Sequence, residues 1–498
     1  MRFYEIDNAL VEAIEAGDKA VRLRVQIDCG DGNFVSVFEQ DILEADFYGL
    51  KEAAGGTSAR GEVLLANPQG AYSHTAAGPG TKVKVSFSLG EGLPWFERFV
   101  FYLDDNGVQD IRGPGRKRFA RLGLRDLSAK LRATDQARDW AAPAVFAYQV
   151  ICDKTRPEQS LLHNIAARAG LGVSDIDCST IPVTLPYARL KSDIWSELSE
   201  LATAYRCHLE CAPEKPLVFA HSPYQAEPFE EDDYSYTFGG ENVFYLRKAA
   251  RGERYRNTVR LRLHLPAAFE KQELWRYGDP PVLYSDSLAA AFPFRSSALR
   301  EVEHEGYEAR YEVRDPNGKS HAVVYADMVD TKEEAESRLE YEGGPFSYSA
   351  YDVATHTDRA VLTLHKEAEG DVYRAAIYGR PIILDPNRSC SAQDTEGIAA
   401  YGVAALNIAG QYFSEHEING ASGTLPHYED WVRRELAERL QNKKEITVKT
   451  HRGLFNARVG AKVKVKIKNE ELAGNIHALH VRYRNNEAFV STFKINEE

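Results

Sequence analysis

Residues 21–27 have the sequence Val-Arg-Leu-Arg-Val-Gln-Ile, in which apolar and polar side chains alternate. Successive side chains of a β-strand point to opposite faces of its sheet, so this alternation is typical of a strand with one buried face. The same period returns in residues 83–89, and residues 104–107 (Asp-Asp-Asn-Gly) have the composition of a tight turn between strands. We therefore predict a first strand-rich domain over residues 1–138.

A block with helical spacing follows this domain. One predicted helix ends at Gly170, a residue type that commonly terminates helices, and its apolar positions are Leu161, Leu162, Ile165, Ala166 and Ala169. A second helix has Ser192 as its predicted N-cap, and its apolar side consists of Ile194, Trp195, Leu198, Leu201 and Tyr205. Residues 207–220 then predict a strand, a turn and a strand. The sequence thus predicts a small α/β domain over residues 139–233, which ends in the acidic run 230–233.

Strand alternation returns in the third region. The Val-Arg-Leu-Arg sequence of residues 21–24 recurs at residues 259–262, which suggests a second, similar β domain over residues 234–395. Within it, residues 315–318 predict a hairpin turn, and Thr331 with Glu334 predicts a helix capping box. The last region, 396–498, predicts a helix after Pro426 and then strands around residues 463–467 and 476–483. The predicted fold class is α+β, mainly β.

Length and composition exclude several classes of protein. A chain of 498 residues is too long to fold around a single hydrophobic core, so we expect roughly two to four domains. The shares of hydrophobic residues, 43%, and charged residues, 27%, are those of a folded globular protein. The formal net charge of −13 argues against a general nucleic-acid binder, which presents an excess of Lys and Arg.

The sequence also bears on where the chain folds. Its first residues carry acidic groups where a secretory signal is basic, and no run of 18 apolar residues occurs. The six cysteines are scattered, which favours reduced, individually buried thiols over a disulfide framework. We expect the chain to be made and to fold in a cytoplasm, without a membrane.

Two sets of residues resemble metal sites. Cys207, His208 and Cys211, with Cys178 and His221 nearby, have ligand types suited to zinc. On a strand, however, a separation of four residues places two side chains about 13 Å apart, so we expect buried cysteines that bind no metal.

The second set matches several positions of a calcium loop and consists of Asp385, Asn387, Ser389 and Glu396. The glycine at the turn of such a loop is replaced by Cys390. We therefore expect a connection from a strand to a helix here, and no bound metal or other cofactor.

Two basic segments are candidate contact surfaces. Residues 112–118 (Arg-Gly-Pro-Gly-Arg-Lys-Arg) form either a solvated hairpin tip or a loop that binds an acidic partner. Lys462, Lys464, Lys466 and Lys468 share one face of a predicted strand. This face is either exposed to solvent, or part of an edge strand whose lysines prevent pairing with another chain, or an interface with an acidic partner.

A search for catalytic motifs is negative. The sequence contains no G-x-S-x-G, H-E-x-x-H or P-loop motif, and no carboxylate pair stands out among its 74 acidic residues. We therefore predict no catalytic residues and no enzymatic activity.

The order of these regions resembles the tail hub, or baseplate hub, proteins of bacteriophages and phage-tail-like particles. The resemblance lies in residues 119–131 (FARLGLRDLSAKL), 193–209 (DIWSELSELATAYRCHL), 216–219 (PLVF), 256–259 (RNTV), 453–454 (GL) and 460–463 (GAKV). It extends over nearly the whole chain except residues 274–351, which we interpret as an insertion in the second β domain.

The resemblance implies two tail-tube-like β-barrel domains with the α/β domain inserted between them, completed by the C-terminal helix and strands. It further implies a homotrimer that joins the tail tube to the central spike. The implied partners are the tail tube or distal tail protein, the spike or tail-tip protein and the tape-measure protein. DNA would pass through the assembly without specific binding, and the chain would reside in the virion tail or the tail of a phage-like particle.

Two other functions compete with this one. The chain would be a tail-associated cell-wall hydrolase if residues 274–351 held a catalytic domain. It would be a carbohydrate-binding or adhesion protein of β-sandwiches if its 26 tyrosines lined a groove.

Overall fold

The computed structural model describes residues 3–17, 20–30, 32–52, 56–67, 70–72, 77–113, 118–133, 145–190, 192–213, 215–221, 234–250, 255–263, 265–268, 272–277, 295–296, 300–302, 306–312, 322–324, 351–355, 359–364, 375–385, 388–414, 417–420, 423–441, 444–467, 470–485, 487 and 489–497. The predicted capping box at Thr331, the hairpin turn at 315–318 and the acidic run 230–233 lie outside these residues. So does most of the segment 274–351.

The first region consists of one helix, seven strands and a second short helix. The elements are α1 (Asn8–Ala16), β1 (Val21–Asp28), β2 (Phe34–Ser36), β3 (Ile42–Lys51), β4 (Gly56–Ala66), β5 (Lys82–Leu89), β6 (Phe96–Arg112), β7 (Arg118–Arg125) and α2 (Leu127–Ala133). The predicted tight turn at residues 104–107 is wrong. Strand β6 continues through it, and its pairing with β7 skips from Leu103 to Val108. These residues therefore bulge out of a continuous strand.

The middle region has the predicted two helices. Its elements are β8 (Val145–Cys152), α3 (Leu161–Ala167), β9 (Ile176–Cys178), β10 (Ile181–Arg189), α4 (Ile194–Ala204), β11 (Cys207–Glu210) and β12 (Leu217–His221). The N-cap of α4 is Asp193 and not Ser192, because the Asp193 carboxylate accepts a hydrogen bond from the Ser196 backbone at 2.9 Å. The oxygen of Ser192 bonds instead to the Glu197 carboxylate, at 3.1 Å.

The elements described in the third region are all strands. They are β13 (Tyr236–Gly239), β14 (Tyr245–Ala250), β15 (Thr258–Leu263), β16 (Leu265–Ala268), β17 (Gln272–Tyr277), β18 (Arg295–Ser296), β19 (Arg300–Val302), β20 (Gly306–Glu312), β21 (Ala322–Val324), β22 (Tyr351–Thr355), β23 (Arg359–Leu364) and β24 (Ala375–Asp385). The repeated Val-Arg-Leu-Arg sequence forms a strand both times, as β1 and β15. The two strands belong to different sheets.

The last region adds two helices and more strands than the sequence predicts. Its elements are β25 (Ser389–Gln393), α5 (Thr395–Tyr401), β26 (Ala405–Gly410), β27 (Glu417–Gly420), β28 (Gly423–Pro426), α6 (His427–Gln441), β29 (Lys444–Thr450), β30 (Lys462–Ile467), β31 (Glu470–Arg484) and β32 (Val490–Glu497). The helix predicted after Pro426 is confirmed as α6, and the two predicted strands are confirmed as β30 and β31.

One long antiparallel sheet joins the two ends of the chain. Its strands lie in the order β14-β29-β32-β31-β3-β4-β7-β6-β5-β1-β2, so β3 and β31 connect the first strands to the last. Its buried face contributes to a core that also includes α1 and parts of β13 and β30. Phenylalanines occupy its centre, where the Phe47 ring lies 5.9, 5.4 and 5.9 Å from the rings of Phe87, Phe99 and Phe101. Burial of such side chains is the main source of its stability.

A second core lies between the helices and the smaller sheets. It combines buried apolar residues of α2, α3, α4 and α6 with those of β8, β9, β11, β12 and β15. The two cores meet at Glu52, whose carboxylate accepts hydrogen bonds from Trp195 Nε1, at 3.2 Å, and from Arg132. The domain boundaries drawn from the sequence stay a prediction.

The predicted fold class is confirmed in its main feature, a mainly β protein with antiparallel sheets and additional helices. The two β-barrels are not confirmed. In the described part of the chain the long sheet is open, since its path starts at β14 and ends at β2 without returning on itself.

Candidate functional site

The two ends of the long sheet are its candidate assembly surfaces. Among the described residues, β2 pairs only with β1, and β14 pairs only with β29. An unpaired strand edge presents backbone N–H and C=O groups to which another chain can pair. At the β2 end, Val35 is 57% exposed and Phe38 is 68% exposed.

The β14 end also carries exposed apolar groups. Phe244 and Tyr245 are both exposed there. The Phe244 ring stacks on the His451 ring at 4.1 Å, and the ammonium of Lys449 lies 4.9 Å from the centre of the Tyr245 ring. These contacts hold two aromatic rings in fixed positions beside an unpaired edge, where a neighbouring subunit could cover them.

The lysine face lies on β30, which is not an edge strand. It pairs with β13 on one side and with β31 on the other, so the interpretation as a guarded edge is wrong. The side chain of Lys464 is only 13% exposed, and its nitrogen lies 3.4 Å from Glu471 and 4.4 Å from the centre of the Tyr234 ring. Lys466 lies 3.5 Å from the same carboxylate. The chain itself therefore neutralises part of this face, and Lys468 lies outside the described residues.

The basic segment 112–118 connects β6 to β7. Arg112 and Arg118 are direct partners in the antiparallel register, which confirms a hairpin. Residues 114–117 at its tip lie outside the described part, so its role as a grip for an acidic partner stays a prediction.

The calcium-loop candidates are separated by a strand. Ser389 begins β25, which pairs with β15, and Glu396 lies beyond that strand in the first turn of α5. Asp385 ends β24, and Asn387 lies outside the described residues. The expected connection from a strand to a helix is confirmed, because β25 leads directly into α5.

The zinc candidates proposed from the sequence do not converge. Cys207 is buried, and its thiol donates to the backbone oxygen of Tyr205 at 3.5 Å. His208 belongs to a different cluster, in which its Nε2 lies 2.9 Å from Glu210. The side chain of His221 lies outside the described part of the structure. The expectation of individually buried thiols is wrong for Cys29, which is exposed.

Three other ligand-type side chains do meet. Cys152, His163 and Cys178 are all buried, and their donor atoms lie within 4.8 Å of one another. A hydrogen bond between the two thiols raises the pKa of Cys152 and lowers that of Cys178. Burial lowers the pKa of His163, so its imidazole is neutral at physiological pH. Of this set, only Cys178 was among the zinc candidates in the sequence, because its members are widely and irregularly spaced on different elements.

A buried polar cluster joins the start of the chain to β11 and to the segment before β30. The Glu210 carboxylate accepts hydrogen bonds from the Tyr4 hydroxyl, at 3.3 Å, and from Arg458. Burial opposes ionisation of this carboxyl, but its interactions with His208 and with the Arg458 guanidinium outweigh burial and lower the pKa of Glu210 to about 2. The guanidinium of Arg98 lies 4.5 Å from the centre of the Tyr4 ring. The cluster is a buried ionic contact between distant parts of the chain.

In the described part of the chain, the helices are all too short or too polar to span a bilayer.

No family model and no curated protein matches the chain. Among solved structures, it is similar to a tail protein from Neisseria meningitidis MC58, with a TM-score of 0.47 and 8% identity over 96% of this chain and 97% of that one. It is also similar to the 43 kDa tail protein of prophage MuSo2 from Shewanella oneidensis, with a TM-score of 0.47 and 9% identity over 96% of this chain and 100% of that one. A prophage tail protein from Listeria monocytogenes EGD-e gives a TM-score of 0.40 and 10% identity over 95% and 94% of the two chains. All three of these structures are of tail proteins.

Proposed function

We propose that this chain is the structural hub of a phage tail or phage-tail-like particle, where it joins the tail tube to the central spike or tail tip as a homotrimer. Its sequence resembles that of tail hub proteins over nearly its whole length. Its partners would be a tail tube or distal tail protein, a spike or tail-tip protein and a tape-measure protein. It would thus reside in the virion tail.

The observation that carries this proposal is the open main path of the long antiparallel sheet, which ends at two unlike strands, β2 and β14. Two unlike surfaces that bind each other create a head-to-tail contact, and such contacts form a closed ring when the rotation between subunits fits. Three copies would form a ring of this kind. The exposed apolar side chains at both edges, Val35 and Phe38 at one and Phe244 and Tyr245 at the other, would become buried there.

Charge is consistent with a passage for DNA. The chain carries a formal net charge of −13. A surface with an excess of negative charge repels the phosphate backbone, so DNA would move past the hub without being retained.

Light scattering on the purified chain over a range of concentrations tests the role of the edges. We expect the wild-type mass to rise toward that of a trimer at high concentration. Val35→Lys places a charge beside the β2 edge and should weaken this association at least tenfold, while its melting temperature stays unchanged because Val35 is already exposed.

Val173→Lys is the matched control. Val173 is 55% exposed, close to the 57% of Val35, but it lies in the short helical turn before β9 and in neither of the strands β2 and β14. This variant should associate like the wild type. A stable two-fold dimer, or equal association of the two variants, would contradict the proposal.

A further inference from the structure

The cluster of Cys152, His163 and Cys178 is built by three separate elements of the second core. Cys152 is the last residue of β8, His163 lies in the first turn of α3, and Cys178 is the last residue of β9. Ser160 fixes the connection between the first two, because its hydroxyl donates to the Ile151 carbonyl at 3.2 Å. This hydrogen bond holds the segment before α3 against the end of β8, and it thereby places His163 near Cys152.

Backbone pairing with neighbouring strands fixes the positions of both cysteines. Cys152 lies opposite Ile181 in the antiparallel pairing of β8 with β10. Cys178 lies opposite Phe219 in the parallel pairing of β9 with β12. The two cysteines are thus placed by different strand pairs that share one core, and their meeting does not depend on a flexible loop.

The three donor atoms have a spacing close to that of a zinc site. They lie within 4.8 Å of one another. Around a tetrahedral zinc ion with Zn–S bonds of about 2.3 Å, two sulfur ligands lie about 3.8 Å apart. Small rotations of the side chains would close the difference. Two thiolates and one imidazole form a ligand set that suits zinc better than a hard cation such as magnesium or calcium.

The histidine has an unfilled bonding position. His163 is 7% exposed, and its Nδ1 is buried without a hydrogen-bond partner. A buried polar atom that lacks a partner costs about 1–3 kcal/mol. A metal ion bound at Nδ1 would remove this cost, and no other described group does so.

We propose that Cys152, His163 and Cys178 bind one zinc ion, with a water molecule as the fourth ligand. On binding, each thiol releases its proton to solvent and becomes a thiolate, while the neutral imidazole donates a nitrogen lone pair. The ion would tie β8, α3 and β9 together and would act as a structural cross-link of the second core. This inference is independent of the proposed tail function.

The direct test is the metal content of the full-length chain, purified under reducing conditions without chelators. Elemental analysis should find about one zinc ion per chain in the wild type. Cys152→Ser and Cys178→Ser should each lose most of this zinc. Cys390→Ser is the control, since Cys390 is half-buried, lies outside the cluster and bonds to the Tyr428 carbonyl. It should retain zinc at the wild-type level.

A second measurement does not depend on whether the variants fold. Replacement of zinc by cobalt(II) in the wild-type chain should produce the near-ultraviolet charge-transfer band of thiolate-bound cobalt. A chelator should lower the melting temperature of the wild type. The absence of stoichiometric zinc, a cobalt spectrum without thiolate bands, or a Cys152–Cys178 disulfide in the freshly purified chain would each overturn the proposal.

Discussion

Phe47 in β3 lies directly opposite Val481 in β31, and this pairing joins the first strands of the chain to its last strands. Both residues are buried in the first core. Between these two strands the chain first adds β4 to β7 to the long sheet, then forms the second core and the smaller sheets, and returns to the long sheet through β29. A contact between such distant residues carries a larger loop-closure entropy cost than a contact between neighbouring strands.

Gly56 in β4 permits the close approach of α4. A Cβ atom at this position would lie 2.8 Å from the Trp195 ring and 2.9 Å from Ser199 Oγ. We predict that Gly56→Ala lowers the free energy of unfolding by about 1–3 kcal/mol, because the buried Trp195 must move. Chemical denaturation measures this change.

Gly78 offers the matched control for this substitution. A Cβ atom there would meet no other atom within 4 Å. Gly78→Ala should change the free energy of unfolding by less than about 0.5 kcal/mol. Equal effects of the two substitutions would show that the contact between α4 and β4 is not tight.

Glu210 should make the fold sensitive to acid. Its pKa is lowered by folding from an ordinary value of 4.5 to about 2, so its ionised form stabilises the fold above about pH 4.5, and this contribution disappears as the pH falls through about 2. Glu210→Gln leaves the charge of Arg458 buried without its counter-ion and should cost about 3–5 kcal/mol near neutral pH.

Urea denaturation at a series of pH values tests this prediction. The difference in unfolding free energy between the wild type and Glu210→Gln should be largest above about pH 4.5 and should shrink toward about pH 2. Glu471→Gln, at a mostly exposed carboxylate, should show a small difference throughout. A difference for Glu210→Gln that is independent of pH would refute the ionic role of this residue.

The lysines of β30 should contribute to stability within the chain. Lys464→Glu combined with Lys466→Glu places three carboxylates together, because both lysines contact Glu471. We expect a loss of about 1 kcal/mol in the free energy of unfolding. Adding Glu471→Lys to the double variant should restore much of it. A double variant with unchanged stability and impaired assembly would instead support an interface with an acidic partner.

The local elements of the fold were predictable from the sequence, and the pairing of distant strands was not. The period of residues 21–27 predicts β1, and the spacing of Ile194, Trp195 and Leu198 predicts α4, since both patterns depend on neighbouring residues alone. Nothing in residues 42–51 indicates that their partner is β31. The tight turn predicted at residues 104–107 is wrong because the same residue types form both tight turns and strand bulges.

The candidate sites show the same limit. The alternating lysines are apparent in the sequence, but the pairing of their strand with β13 on one side and β31 on the other is not. The spacing of Cys207 and Cys211 correctly argued against a shared metal there, but it did not indicate that Cys152 and Cys178 meet. Their contact follows from the packing of two sheets, which no local pattern encodes.

We predict that the purified chain has no cell-wall hydrolase activity. The sequence contains no catalytic motif, so the protein should not clear peptidoglycan in a zymogram. Clearing that is abolished when the acidic residues between 301 and 312 are replaced would favour the hydrolase interpretation. A hydrolase of known activity loaded at equal mass serves as the positive control.

The central claim is that this chain is a structural hub within a tail. Cryo-electron microscopy of the assembled particle tests it most directly. We predict three copies of the chain around the tail axis, between tube and spike, with β2 of each copy beside β14 of the next. A particle that lacks the chain, or that contains it outside the axis or as a two-fold dimer, would contradict the claim.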